Sequence, residues 1–227
     1  MKMKIKSSYL ILKTDKPVEE GASKLRGYLG TRFKEYPLLH NHLEEAGYIY
    51  TYPRVQYRVI GGQACILGIE EGAPSIKEIS DQIDNLILGS NVYSVEERVL
   101  YQKEFDIKTG AKTQYNFISP WIALNPKNYR IFSNMDNWKD KKIFLNNILI
   151  GNILSMCKGL GIIVNRKIYV HSHLEEEKVD FKGMYMTGFN GEFTVNFQIP
   201  DFFGLGKGVS QGFGAVKGVK DADSCDI

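Results

Sequence analysis

The stretch RVQYRVIGGQACILGI, residues 54–69, reads as a β-hairpin. Arg54 to Ile60 and Gln63 to Ile69 are β-rich runs joined at Gly61-Gly62, and a two-residue glycine turn between such runs is a hairpin signal. Upstream, Lys4 to Leu12 alternates into the apolar run Tyr9, Leu10, Ile11, Leu12, a strand with a buried centre. Asp15 and Pro17 then give a helix start, and Val18, Ala22, Leu25 and Leu29 recur at helical spacing until Gly30. Downstream, Ser75 and Glu78 have capping-box spacing and open a helix with the apolar stripe Ile76, Ile79, Ile83, Leu86, Ile87, closed by Gly89. Val92 to Ile107 supplies a further strand. The order is β-α-β-β-α-β, the ferredoxin-like unit.

The second half begins in the same way. A strand falls near Thr113 to Ser119, a long helix runs from about Asn137 to Lys158 and ends at Gly159, and strands follow. Asn190-Gly191 reads as a type I′ turn, after which Phe193, Val195, Phe197 and Ile199 alternate with Thr194, Asn196 and Gln198. Phe213 to Val219 is the last strand. The fold class expected is α+β, two tandem ferredoxin-like (RRM-like) sandwiches over residues 1–109 and 110–227, with Lys108 to Lys112 as the linker.

With 227 residues, 43% hydrophobic and 24% charged, the chain reads as soluble and globular. Its net charge of +3 permits a polyanionic partner. Cys65, Cys157 and Cys225 lack paired spacing, and Met1 to Lys6 lacks the apolar core of a signal peptide, so a cytoplasmic location is expected. Ile143 to Val164 is interrupted by Asn146, Asn147, Asn152 and Lys158, which favours a buried helix over a membrane span.

Two stretches carry chemistry. In FFGLGKGVSQGFG, residues 202–214, Gly204, Gly206, Gly208, Gly212 and Gly214 surround Lys207. Lys207 is followed by Gly208 rather than Ser or Thr, so this is no P-loop, and Val209 stands where a dinucleotide fingerprint needs its third glycine. The loop reads as a backbone freed to approach phosphates, with a mobile hairpin loop as the alternative. Between Phe33 and Tyr50 no periodicity holds, and His40, His42, Tyr48 and Tyr50 collect there beside Lys34. Histidine titrates near pH 6.5, so His40 and His42, which in an extended stretch face the same side, suit shared acid and base roles. Lys24, Arg26, Arg32 and Lys34 form a basic face on and after the first helix.

Tandem ferredoxin-like halves ending in such a glycine loop resemble the RAMP superfamily of CRISPR-associated proteins, and within it the endoribonucleases that cleave precursor CRISPR RNA in each repeat. The likeness is carried by Gly204-Leu-Gly-Lys-Gly with Gly212-Phe-Gly214, by the basic helix Lys24 to Arg32, by the histidine loop, and by Tyr52-Pro53-Arg54-Val55-Gln56-Tyr57-Arg58 entering the hairpin. It implies metal-independent, cofactor-free cleavage in which a 2′-hydroxyl attacks the adjacent phosphorus, leaving a 2′,3′-cyclic phosphate and a 5′-hydroxyl. On this reading His40 and His42 are acid and base, and Tyr48, Tyr50 or Lys34 donates to the phosphate. Lys24, Arg26, Arg32 and Arg54 position RNA, and the glycine loop with Lys207 clamps its backbone. The partners implied are CRISPR repeat RNA, other CRISPR-associated effector subunits and a second copy of the chain. Two alternatives stay open. One is a RAMP subunit that only holds RNA; the other is a metal site at His171 and His173, with Glu177 on the same strand face. The tripeptide His40-Asn41-His42 alone is not an HNH nuclease module.

Overall fold

The computed structural model describes residues 4–40, 42–43, 47–48, 52–107 and 109–219, with backbone alone for 42–43, 47–48 and 109. The chain divides into two units, one of residues 1–106 with 208–213 and one of residues 107–207 with 214–227. Both are ferredoxin-like.

The first unit contains β1 (Lys4–Thr14), α1 (Ala22–Arg32), α2 (Pro37–His40), β2 (His42–Leu43), β3 (Gly47–Tyr48), β4 (Val55–Ile60), β5 (Gln63–Ile69), α3 (Gly72–Ser80), β6 (Asn85–Leu88) and β7 (Asn91–Asp106). Its main sheet has the order β4-β5-β1-β7-β6, antiparallel throughout. Apart from the added edge strand β6, this is the ferredoxin arrangement. The apolar run of β1 lies at its centre, with Leu10 paired to Ile66 on one side and to Leu100 on the other. Leu10, Leu12, Ile66, Leu25, Leu29, Ile76 and Ile79 are fully buried in the core. The β4–β5 hairpin turns at Gly61 and Gly62 with φ of 56° and 77°, as its sequence requires.

Both ends of α1 and of α3 differ from the sequence expectation. Helix α1 begins at Ala22, because the Val18 N–H is held by the Gly62 carbonyl at 2.8 Å and keeps Pro17 and Val18 against the hairpin turn. It also runs through Gly30 to Arg32. Helix α3 begins at Gly72, so Ser75 is not its cap, and it ends at Ser80. Leu86 and Ile87 belong to β6, which turns through Gly89 at φ 65° to pair with β7.

The second unit contains β8 (Thr109–Trp121), α4 (Pro126–Ser133), α5 (Trp138–Gly159), β9 (Val170–Phe181), β10 (Met184–Phe197) and β11 (Val216–Gly218), in the sheet order β11-β8-β10-β9. The linker expected at 108–112 is, from Thr109 onward, the start of β8. The β9–β10 hairpin turns at Lys182-Gly183, with φ of 56° and 77°, and not at Asn190-Gly191. That pair lies within β10 at a register irregularity against β8, where a Cβ on Gly191 would stand 2.2 Å from the His173 carbonyl oxygen. Helix α4 has a legible cap, since the Asn125 side chain accepts from Asn128 N–H at 2.8 Å and Pro126 takes the first helical position. Helix α5 buries Leu145, Leu149, Ile153 and Met156 while Ile143 and Leu154 stay exposed, so it is one-sided rather than enclosed. No helix of the described residues is long and apolar enough to cross a membrane.

The connection from β10 to β11 stands where a ferredoxin unit has its second helix, and it is the glycine loop. Leu205 N–H donates to Gly214 O at 2.9 Å, Lys207 N–H to Ile122 O at 3.0 Å, and Gly214 N–H to Pro120 O at 2.8 Å. Gly214 sits at φ 66°, and a Cβ there would lie 2.0 Å from the Leu205 carbonyl oxygen. Its glycine is therefore required by the protein's own backbone. Gly27, on the exposed side of α1, meets nothing within 4 Å. Chemical denaturation should show Gly214→Ala destabilised by at least about 2 kcal/mol, and Gly27→Ala stabilised by about 0.5–1 kcal/mol.

Candidate functional site

The histidine loop is anchored before His40 is reached. Phe33 caps α1 by donating its N–H to Leu29 O at 2.9 Å, and Leu39, fully buried, pins α2 to the core of the first unit. The Tyr57 hydroxyl donates to Leu39 O at 3.0 Å. Burial pushes the Tyr57 pKa well above its ordinary value, so it remains a neutral donor. Arg26 Nη2 donates to His40 O at 2.7 Å, and its Nη1 donates to Ser210 Oγ at 3.3 Å. One guanidinium thus joins α1 to the histidine loop and to the tip of the glycine loop, Val209–Gln211, which lies against α1 and β4. Ser23 Oγ adds a bond to Gln211 Oε1 at 3.3 Å.

The His40 ring packs on α1. A Cβ on Gly30 would stand 3.0 Å from His40 Nδ1 and 3.2 Å from Cε1, so the missing side chain makes the seat for the imidazole. His40 ends a helical turn and His42 begins β2, so the two are not consecutive residues of one extended strand. His40 and His42 therefore do not share one face of a strand. In the backbone ladder of β2 and β3, His42 is instead the direct partner of Tyr48. The side chains of His42 and Tyr48, and all of Tyr50, lie outside the described residues.

The basic residues disperse. Lys34 is exposed at the exit of α1. Arg32 Nη1 donates to the Tyr28 hydroxyl at 2.9 Å and Nη2 to Gln82 O at 2.6 Å. Arg54 Nε pairs with Glu71 at 2.9 Å. The Lys24 ammonium lies over the β6–β7 turn, 2.9 Å from where a Gly89 Cβ would be. Arg26, Arg32 and Arg54 therefore brace the first unit, and their faces do not converge on the histidine loop except for Arg26. The anchoring roles of Tyr57 and Ser210 were not read from sequence. Tyr57 carried one signal, its alternation with Val55 in β4.

In the second unit, exposed Lys207 lies over the Phe181 ring at 4.8 Å and beside Met186 Sδ at 3.8 Å. It borders a groove of about 680 Å³ lined also by Tyr129, Lys178, Met184 and Tyr185. Gly206 and Lys207 are exposed while Gly204, Val209, Ser210 and Gly214 are buried, so the Gly206-Lys207 step faces outward and the rest of the stretch packs on the protein. Glu177 accepts from the Asn190 side-chain amide, and Lys142 Nζ stands 3.2 Å from His171 Nε2. Among the described residues no three His, Cys, Asp or Glu side chains converge to hold a metal ion.

Family models for the Cas6b N-terminal and C-terminal domains match residues 3–106 and 107–219. The chain belongs to the Cas6b family. A crystal structure of Cas6b is 34% identical with a TM-score of 0.84, and it covers 96% of this chain and 100% of its own. A crystal structure of the CRISPR RNA processing endoribonuclease Cas6b is 32% identical with a TM-score of 0.76, again over 96% and 100%. An uncharacterized protein of Methanocaldococcus jannaschii is 43% identical over 147 residues, 63% of this chain and 99% of its own. A RAMP protein binding different RNA substrates, 14% identical with a TM-score of 0.54, shares the fold. In this Cas6b chain the seat of His40 is directly testable. Gly30→Ala should leave stability unchanged or raise it by about 0.5–1 kcal/mol, yet shift the His40 imidazole NMR signals. Unmoved signals would mean that the ring does not rest on α1.

Proposed function

We propose that this chain is an endoribonuclease that cleaves precursor CRISPR RNA within its repeats, through His40 and His42, without a metal ion. One group takes the proton of the 2′-hydroxyl, whose oxygen attacks the adjacent phosphorus. The other gives a proton to the departing 5′-oxygen, leaving a 2′,3′-cyclic phosphate and a 5′-hydroxyl. The observation that carries the reading is the seating of His40, held through its own carbonyl by Arg26, through the Leu39 carbonyl by Tyr57, and through its ring by the bare Gly30. A catalytic imidazole needs such placement, because a misplacement of about 1 Å can cost about 10²-fold in rate. The backbone pairing of His42 with Tyr48 supports their joint use, with the tyrosine as hydroxyl donor toward the phosphate. Lys34, Tyr50 and Lys24 remain candidates for charge and donors near the scissile group. The exposed Gly206-Lys207 step, beside a groove carrying Tyr129 and Tyr185, suits RNA phosphates and unpaired bases.

Replacing His40 by Ala should lower the single-turnover cleavage rate by about 10² to 10⁴ while RNA affinity stays nearly unchanged. Gly30→Ala should lower it by about tenfold. Cleavage should persist in excess EDTA and stop when the nucleotide at the cut carries a 2′-deoxy sugar. A wild-type protein that shifts repeat RNA on a gel and leaves it whole would instead be a holder of RNA.

A further inference from the structure

His171 and His173 lie two residues apart on β9, both exposed, with ring centroids 5.2 Å apart at 81°. From α5, Lys142 comes within 3.2 Å of His171 Nε2. Lysine only donates, so the His171 Nε2 lone pair is occupied and the ring proton sits on Nδ1. The Lys142 charge, followed by desolvation, His173 and Lys112 of β8, holds the His171 imidazole below its ordinary range. A metal cation would meet an occupied nitrogen and an ammonium. An anion would meet neither obstacle.

The surrounding face agrees. From β10, Thr194 stands opposite His171 and Glu192 opposite His173. The Glu192 carboxylate accepts from the Gln114 side chain of β8 at 2.7 Å, which draws it toward β8, and Glu175 lies two residues beyond His173 on β9. The positive end of the cluster is therefore Lys142, with the neutral His171 ring beside it as a donor. Two residues before His171, Tyr169 is 62% exposed, with the Lys167 ammonium 5.4 Å from its ring centroid. Cationic and aromatic groups thus follow one another along this edge strand and its approach. Phosphates and bases follow one another in the same way along a single nucleic acid strand.

We propose that Lys142, His171 and His173 form a phosphodiester-binding site on the second unit, holding a single-stranded part of the repeat RNA with a base on Tyr169. The proposal rests on the reading of the chain as a repeat-RNA nuclease, and its chemistry is testable apart from that reading. In the full-length protein, inorganic phosphate should shift the His171 and His173 imidazole NMR signals saturably, and Lys142→Ala should abolish the shifts. Repeat RNA with a 2′-deoxy nucleotide at the cut position should bind about tenfold more weakly to a Lys142→Ala/His171→Ala variant, with its salt dependence flatter by about one unit of slope. Lys142→Glu should weaken binding further. The unfolding midpoint should match wild type. Unchanged RNA affinity and slope in these variants, in a protein that binds and cuts repeat RNA, would overturn the site, as would imidazole signals indifferent to phosphate. Phosphate-dependent shifts in a protein that neither binds nor cuts repeat RNA would uphold the anion site and refute the nuclease reading.

Discussion

A single guanidinium links α1, the histidine loop and the tip of the glycine loop within the first unit. Arg26 projects from α1, donates to the carbonyl of His40 and reaches Ser210 at the tip of the glycine loop. Hydrogen bonds from a charged donor contribute about 1.5–3 kcal/mol each when half-buried, more than a neutral bond would. The helix supplies the second constraint with the opposite device, an absence of atoms. Because Gly30 has no Cβ, the His40 ring can lie against α1 at contact distance. Arg26 and Gly30 are four residues apart, one helical turn, so both act on the same loop from the same face.

The basic residues of the first unit also hold the protein itself together. A run of lysines and arginines on a helix reads as a surface for a polyanion, yet Arg26, Arg32 and Arg54 each meet acceptors of the first unit itself. The glycine loop has the same double character. Gly214 answers a contact with Leu205, and the amides of Leu205 and Lys207 are bonded within the second unit, while Gly206 and Lys207 face outward. A loop can be a structural substitute for a helix and still present a short outward segment to a ligand.

The fold was legible where local chemistry and topology agreed. Gly61-Gly62 demanded a turn and made one, and the strand-helix-hairpin order around it led to the ferredoxin arrangement that the sheet order shows. Local signals failed where a longer-range partner overrode them. Asn190-Gly191 has the composition of a turn, but β10 continues through it because Leu174 and Phe117 pair with Gly191 on either side. Ser75 and Glu78 have capping spacing, but the turn at Glu70 already starts α3 at Gly72. At the candidate site, the histidines fall in an aperiodic loop, the kind of segment where reactive side chains concentrate, and Arg26 and Tyr57 anchor its first part. The anchors Tyr57 and Ser210 could not be read, being 18 and 184 residues away from their partners Leu39 and Arg26.

The account stands on His40 as a proton-transferring group in cleavage of repeat RNA. The most direct measurement is the pH dependence of single-turnover cleavage for the wild type and His40→Ala. The wild-type profile should contain a limb in the histidine range that is missing from the variant, whose residual rate is lower throughout. A His40→Ala profile that keeps that limb at wild-type rate would contradict the account.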